Sequence, residues 1–296
     1  MKNCFLRWIV PAMFGATITG VANATILNTT ADPLPVCDAS ATTAIIPAGA
    51  EQCGVTPTVY KIRVHEMGVC TSHPYGASKD EATFDTSTCS IVYADPATTP
   101  EQVDIAASLG TASAMNGTST LPPVGTYKYP YLVFKDEFTT SARFASSGGT
   151  ITRSDTGGAS ENTDTAAAVE VTESLNNFQD DLLGTTVCTS GYTGATVTGG
   201  TIDGFITDSS HARSLRAENS SVGGRDVCDK RGRLVGVMTL STPFTITPQT
   251  YGLNFSFNLT NQGVQFIDNC VGATDRTPEC YGSAPFSGKF EVLNQN

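Results

Sequence analysis

YGLNFSFNLT, residues 251–260, alternates without a break: Leu253, Phe255, Phe257 and Leu259 interleave with Asn254, Ser256 and Asn258. A period of two places the apolar set on one face of a β-strand and the polar set on the other. The sheet it belongs to then has one side on a core and one toward water.

The same reading extends in both directions. VYKIRVHEMGV, 59–69, sets Tyr60, Ile62 and Val64 against Lys61, Arg63 and His65, and the shift to Met67 and Val69 predicts a bulge near Glu66. CSIVYAD (89–95), TYKYPYLVF (126–134), TIDGFITD (201–208), RLVGVMTL (233–240), VQFI (264–267) and the final KFEVLN (289–294) complete the strand set. TPEQVDIAASL, 99–109, reads as a capped helix start or as a strand around Val103 and Ile105. TDTAAAVEVTESLNNFQDDLL, 163–183, spaces Ala167, Val171, Leu175 and Phe178 as a helix face, while Val169, Val171 and Thr172 also permit a strand. Long strands with little firm helix between them predict a mainly β chain, an antiparallel β-sandwich of two packed β-rich units with one short helix. The expected division is an irregular leader or assembly segment at 25–56, a sandwich-like domain at 57–146, a linker or loop at 147–162 and a second β-rich domain at 163–296.

Residues 1–24 carry Lys2 and Arg7, a short apolar core and small residues at Ala22 and Ala24, the signature of a secretory signal cut after Ala24. The apolar core is too short and too interrupted for a stable membrane span. Without residues 1–24 the 17 basic residues fall to 15 against 28 acidic ones, a net charge near −13. So acidic a chain argues against nucleic acid as a partner. Loss of Cys4 leaves eight cysteines, an even number behind an export signal, which implies disulfides. Short loops favour the sequential pairs Cys37–Cys53, Cys70–Cys89, Cys188–Cys228 and Cys270–Cys280. The expected location is outside the cell or on its surface.

LPPVGTYKYPYLVFKDEF, 121–138, concentrates aromatic and β-branched residues. Tyr127, Tyr129, Tyr131 and Val133 fall on one face, Lys128, Pro130, Leu132 and Phe134 on the other. The three tyrosines are candidate ligand-binding residues able to stack on sugar rings, or sheet-sheet contacts. Pro130 points to an edge strand or a bulge. With Leu121, Pro122 and Pro123 entering, Gly125 turning and the tyrosines alternating, the stretch resembles a late strand of prealbumin-like sandwiches and of the collagen-adhesin B-type modules of bacterial surface proteins. That resemblance implies an extracellular scaffold or stalk module.

No constellation in the sequence predicts catalysis. G-x-S-x-G is absent, and DSSHARS, with Asp208, Ser209, Ser210 and His211, is a local cluster with no strained nucleophile turn. Cys70 and His73 have half-site spacing, but a bridged cysteine offers no thiolate. His65 reads as an exposed strand histidine. Asp136 and Glu137 are neighbours on an extended chain and point apart, so they cannot face each other across a sugar. No D-x-D-x-D-G calcium loop occurs. The expectation is no catalytic residue, no metal and no cofactor: a structural or adhesive protein such as a filament, surface-layer or virion component, acting by self-association or through other surface proteins. Residues 25–35 and the C-terminal KFEVLN are candidate donor strands. The alternative is a carbohydrate-binding module or a glycan-active enzyme. Asn28, Asn116, Asn219, Asn254 and Asn258 head N-x-S/T sites, the last two on the expected solvent face.

Overall fold

The computed structural model describes residues 3–9, 34–79, 81–108, 112–113, 115–153, 162–163, 168–175, 192–197, 199–213, 221–222, 225–226, 230–268, 275–278, 280–284 and 286–295. In chain order the first strands are β1 (Asn3–Ile9), β2 (Gln52–Val55), β3 (Pro57–Cys70), β4 (Cys89–Ala94), β5 (Gln102–Asp104), β6 (Ala112–Ser113), β7 (Thr118–Ser119) and β8 (Gly125–Tyr127). The middle of the chain supplies β9 (Tyr129–Lys135), β10 (Glu137–Ser146), β11 (Gly149–Arg153), β12 (Asn162–Thr163), β13 (Val171–Ser174), β14 (Tyr192–Val197) and β15 (Gly200–Thr207). The remainder are β16 (Ser221–Val222), β17 (Arg225–Asp226), β18 (Arg233–Leu240), β19 (Phe244–Ile246), β20 (Thr250–Asn258), β21 (Val264–Ile267), β22 (Cys280–Ser283) and β23 (Ser287–Asn294).

The fold is mainly β, with several packed antiparallel sheets. Its largest sheet runs β12-β11-β10-β3-β9-β18-β15-β14, with β4, β5, β7 and β13 attached beside it. A smaller sheet runs β23-β20-β1-β6 and another β2-β21-β22. Between the large and small sheets lies the main core, where Tyr60, Ile62, Val64, Leu132, Phe134 and Phe138 meet Leu253, Phe255, Phe257, Val264 and Phe266. The alternating face of β20 is therefore core, as its period requires. A second, smaller core forms on the other face of the large sheet, where Tyr131, Val133, Phe205, Val235 and Val237 are covered by Tyr75 and Phe84 from the 71–88 connection. Strands β3, β9 and β18 are thus buried on both faces.

The stretches 57–146 and 163–296 contribute adjacent strands to one sheet, with Val133 of β9 opposite Val235 of β18. In the expected linker, β11 folds back on β10 as a hairpin. The helix expected over 163–183 gives way, among the described residues, to strand: Val171 sits opposite Thr140 of β10 and is buried. Here β-branched Val171 and Thr172 and an available sheet edge outweigh the 3.6-residue spacing. The only helical element among the described residues is a 3-10 turn, Thr86–Thr88, capped by Asp85. In the 99–109 segment the strand alternative prevails: β5 pairs with β3 and is followed by a turn.

Two of the disulfides form as the loop lengths suggest. Cys37–Cys53 ties the irregular 34–51 segment to β2, and Cys70–Cys89 staples β3 to β4 across the 71–88 connection. Cys188, Cys228 and Cys270 lie outside the described residues. Cys280 begins β22 opposite Ile267.

Candidate functional site

The candidate tyrosines divide between the two cores. Lys128 interrupts the strand between β8 and β9, so the phase slips. Tyr127 joins the main core and its hydroxyl donates to the Pro123 carbonyl at 2.9 Å. Tyr131 joins the smaller core at 1% exposure, lies across Gly68 where a Cβ would collide with its ring, and donates its hydroxyl to Glu66 Oε1 at 2.5 Å. Tyr129 is half-buried, edge-on to His73 at 5.7 Å. No flat aromatic platform results. Nor is β9 an edge: β3 and β18 flank it, and Pro130 is tolerated because it is the second residue, before the β18 pairing starts at Tyr131.

Histidines far apart in sequence converge on the outer face of the large sheet. The bulge expected near Glu66 is centred on His65, which has no partner in β9 while Val64 and Glu66 pair with Phe134 and Val133. One extra residue breaks the strict alternation, so His65 and Glu66 both line one open cleft of about 420 Å³ together with Asp95, Ser209, His211 and Arg233. His65 is buried rather than exposed. Burial and the nearby Arg233 guanidinium lower its pKa from 6.5 to about 4, leaving a neutral ring at neutral pH. His211, held at a positive φ of 62°, is also shifted down by desolvation. Burial and the adjacent Glu66 carboxylate hold the Tyr131 phenol in its protonated, donating form.

Beside the cleft, His73 accepts the Tyr75 N–H at Nδ1 and places Nε2 3.6 Å from the buried Asp203, which Lys79 reaches at 2.9 Å. Tyr75, Phe84, Phe205 and Tyr131 stack around this group, with ring centroids 4.3 to 5.3 Å apart for successive pairs. The Arg213 guanidinium covers Phe205 at 4.9 Å. Asp203 is therefore a structural charge, neutralised by Lys79 at the margin of an aromatic cluster.

The other sequence candidates are structural. Asp208 accepts the N–H groups of Ser210 and Ala212 and the Ser210 hydroxyl, so DSSHARS is an Asx-type turn. Asp136 accepts the Gly232 N–H at 2.9 Å, whereas Glu137 accepts from Lys135 at 2.7 Å. Cys70 is bridged. Among the described residues no cluster of three His, Cys, Asp or Glu is arranged to hold a metal ion, and no helix is long and apolar enough to cross a membrane.

A different feature was not visible in the sequence. β20 is flanked by β23 on one side and by β1 on the other, paired over seven residues from Asn3 opposite Asn258 to Ile9 opposite Gly252. KFEVLN, one of the candidate donor strands, is thereby accounted for as part of β23 in its own sheet. Asn254 and Asn258 are buried at 3% and 7% exposure, not solvent-facing, and are closed to glycosylation in this arrangement. No protein-family model matches the chain, and neither a curated protein nor a solved structure is significantly similar to it.

Proposed function

We propose that this is an exported structural or adhesive protein that acts through assembly with copies of itself or with other surface proteins, without catalysis. The observation that carries this reading is the place of β1. The strand that completes the β20 edge comes from the segment with the features of a cleaved export signal. Once that segment is removed, the ladder groups of a core strand are left open, and an open edge is the ordinary template for pairing with another chain. The two disulfides fit an oxidising destination. Light scattering during size exclusion of the exported protein, followed by negative-stain microscopy, tests the reading. Multimers are expected; a monomer at every concentration contradicts it.

The cleft favours a second reading, the binding or processing of a glycan, because Glu66 and Asp95 both line it. Glycan-array binding that is lost in Glu66→Gln while the melting temperature holds would support that reading, and an array without signal would remove it.

A further inference from the structure

The β20 edge carries its own complement. Residues 253–259 read Leu-Asn-Phe-Ser-Phe-Asn-Leu in either direction. We propose that, after loss of residues 1–24, β20 pairs antiparallel with β20 of a second copy about a two-fold axis through Ser256, giving a continuous β23-β20-β20-β23 sheet. The inference rests on the export and assembly reading above and specifies the surface and the partner.

A palindromic strand is self-complementary in one register. Ser256 faces Ser256 of the partner subunit. Phe255 then meets Phe257 of the partner subunit, Asn254 meets Asn258 of the partner subunit, and Leu253 comes beside Leu259 of the partner subunit, one residue past the end of β20. Every apolar residue lies opposite an apolar one and every polar residue opposite a polar one. A shift of one residue would oppose Phe to Ser or Asn throughout and would carry core side chains to the wrong face. Closure by a two-fold axis makes the contact isologous and finite.

Two further observations point to the same edge. Asn254 Oδ1 is buried and has no hydrogen-bond partner among the described residues. In the two-fold arrangement it stands opposite an amide side chain able to donate to it. The strand beyond β1, β6, is a two-residue parallel pairing to Phe5 and Leu6, and that is its named link to the sheet. That pairing goes with β1 when residues 1–24 are lost, which leaves the β20 edge open to a whole strand.

The test uses protein recovered after export, with intact mass recording whether residues 1–24 are absent. Ser256 is half-buried and on the face away from the core, so Ser256→Cys and Ser256→Lys both leave the core side chains in place. Opposed residues in an antiparallel pair have Cβ atoms about 4.5–5.5 Å apart, within reach of a short thiol-bridging reagent. Ser256→Cys is expected to give a covalent dimer, and the exposed control Thr242→Cys none. Ser256→Lys, which sets like charges opposite each other, is expected to weaken the dimer about tenfold with the melting temperature of the dissociated chain unchanged. Multimers that neither bridge through Ser256→Cys nor respond to Ser256→Lys overturn the β20 pairing and leave assembly standing. An exported chain that retains residues 1–24 overturns the pairing alone. A monomer at every concentration overturns both.

Discussion

Tyr131 shows how little the chemical type of a residue settles by itself. In sequence it belongs to a row of tyrosines fit for stacking on sugars, yet it is sealed against Gly68, and its hydroxyl holds Glu66 at the wall of the cleft. Tyr131→Ala should cost about 3–5 kcal/mol in chemical denaturation, in the range for deleting a buried aromatic, and Tyr129→Ala distinctly less because that ring is half-buried. Equal losses at the two sites would contradict the split between cores. His65 makes a prediction in pH. Its folded pKa of about 4 lies below the unfolded 6.5, so the unfolded chain takes up the proton first. This contribution to stability is complete above pH 6.5, falls as the pH drops from 6.5 to about 4, and does not change below that. Melting curves between pH 7 and pH 4 should show the decline, and His65→Asn should flatten it. A variant whose pH profile matches the parent would show that His65 is not the group responsible.

At the level of elements, local period decides most strands and neighbours decide the rest. β20, β21 and β18 were legible from alternation, and the bulge in β3 from a single phase shift, because each depends on which face meets the core. The strand at Val171–Ser174 was not legible with certainty, since a 3.6-residue spacing and β-branched residues compete there until β10 offers a partner. The cleft was illegible because it depends on His65 leaving the alternation and on Ser209, His211 and Arg233 arriving from residues far along the chain. Three histidines in the whole chain, one of them beside an expected bulge, were the only available signal. The end of β5 illustrates how a connection is fixed. Asp104 Oδ1 accepts the N–H groups of Tyr60, Ala106 and Ala107 at 3.1, 3.0 and 3.2 Å, so one carboxylate ties the turn to β3. Asp104→Ala leaves three donors to find other partners and should destabilise the protein by about 2–3 kcal/mol in a urea titration, while Asp104→Asn, which keeps an acceptor oxygen, should recover most of the loss. No difference between the two variants would show that the carboxylate does not organise the turn.

For the whole molecule, one large sheet runs through both halves of the chain and is covered on two faces, while in the small sheet β20 is completed by β1, from the first residues of the chain. Antiparallel strands send alternate amides to either neighbour. Half of the β20 amides are therefore protected by β23 in any state, and the other half by β1 or, in the pairing proposed above, by a second copy of β20. Hydrogen exchange of residues 250–258 in the exported protein, followed over a concentration series with β3 as an internal standard, measures that second half directly. Slow exchange is expected at high concentration, with release of about half the β20 amides on dilution and no change in β3. Exchange in β20 that is the same at every concentration would rule out the β20 pairing.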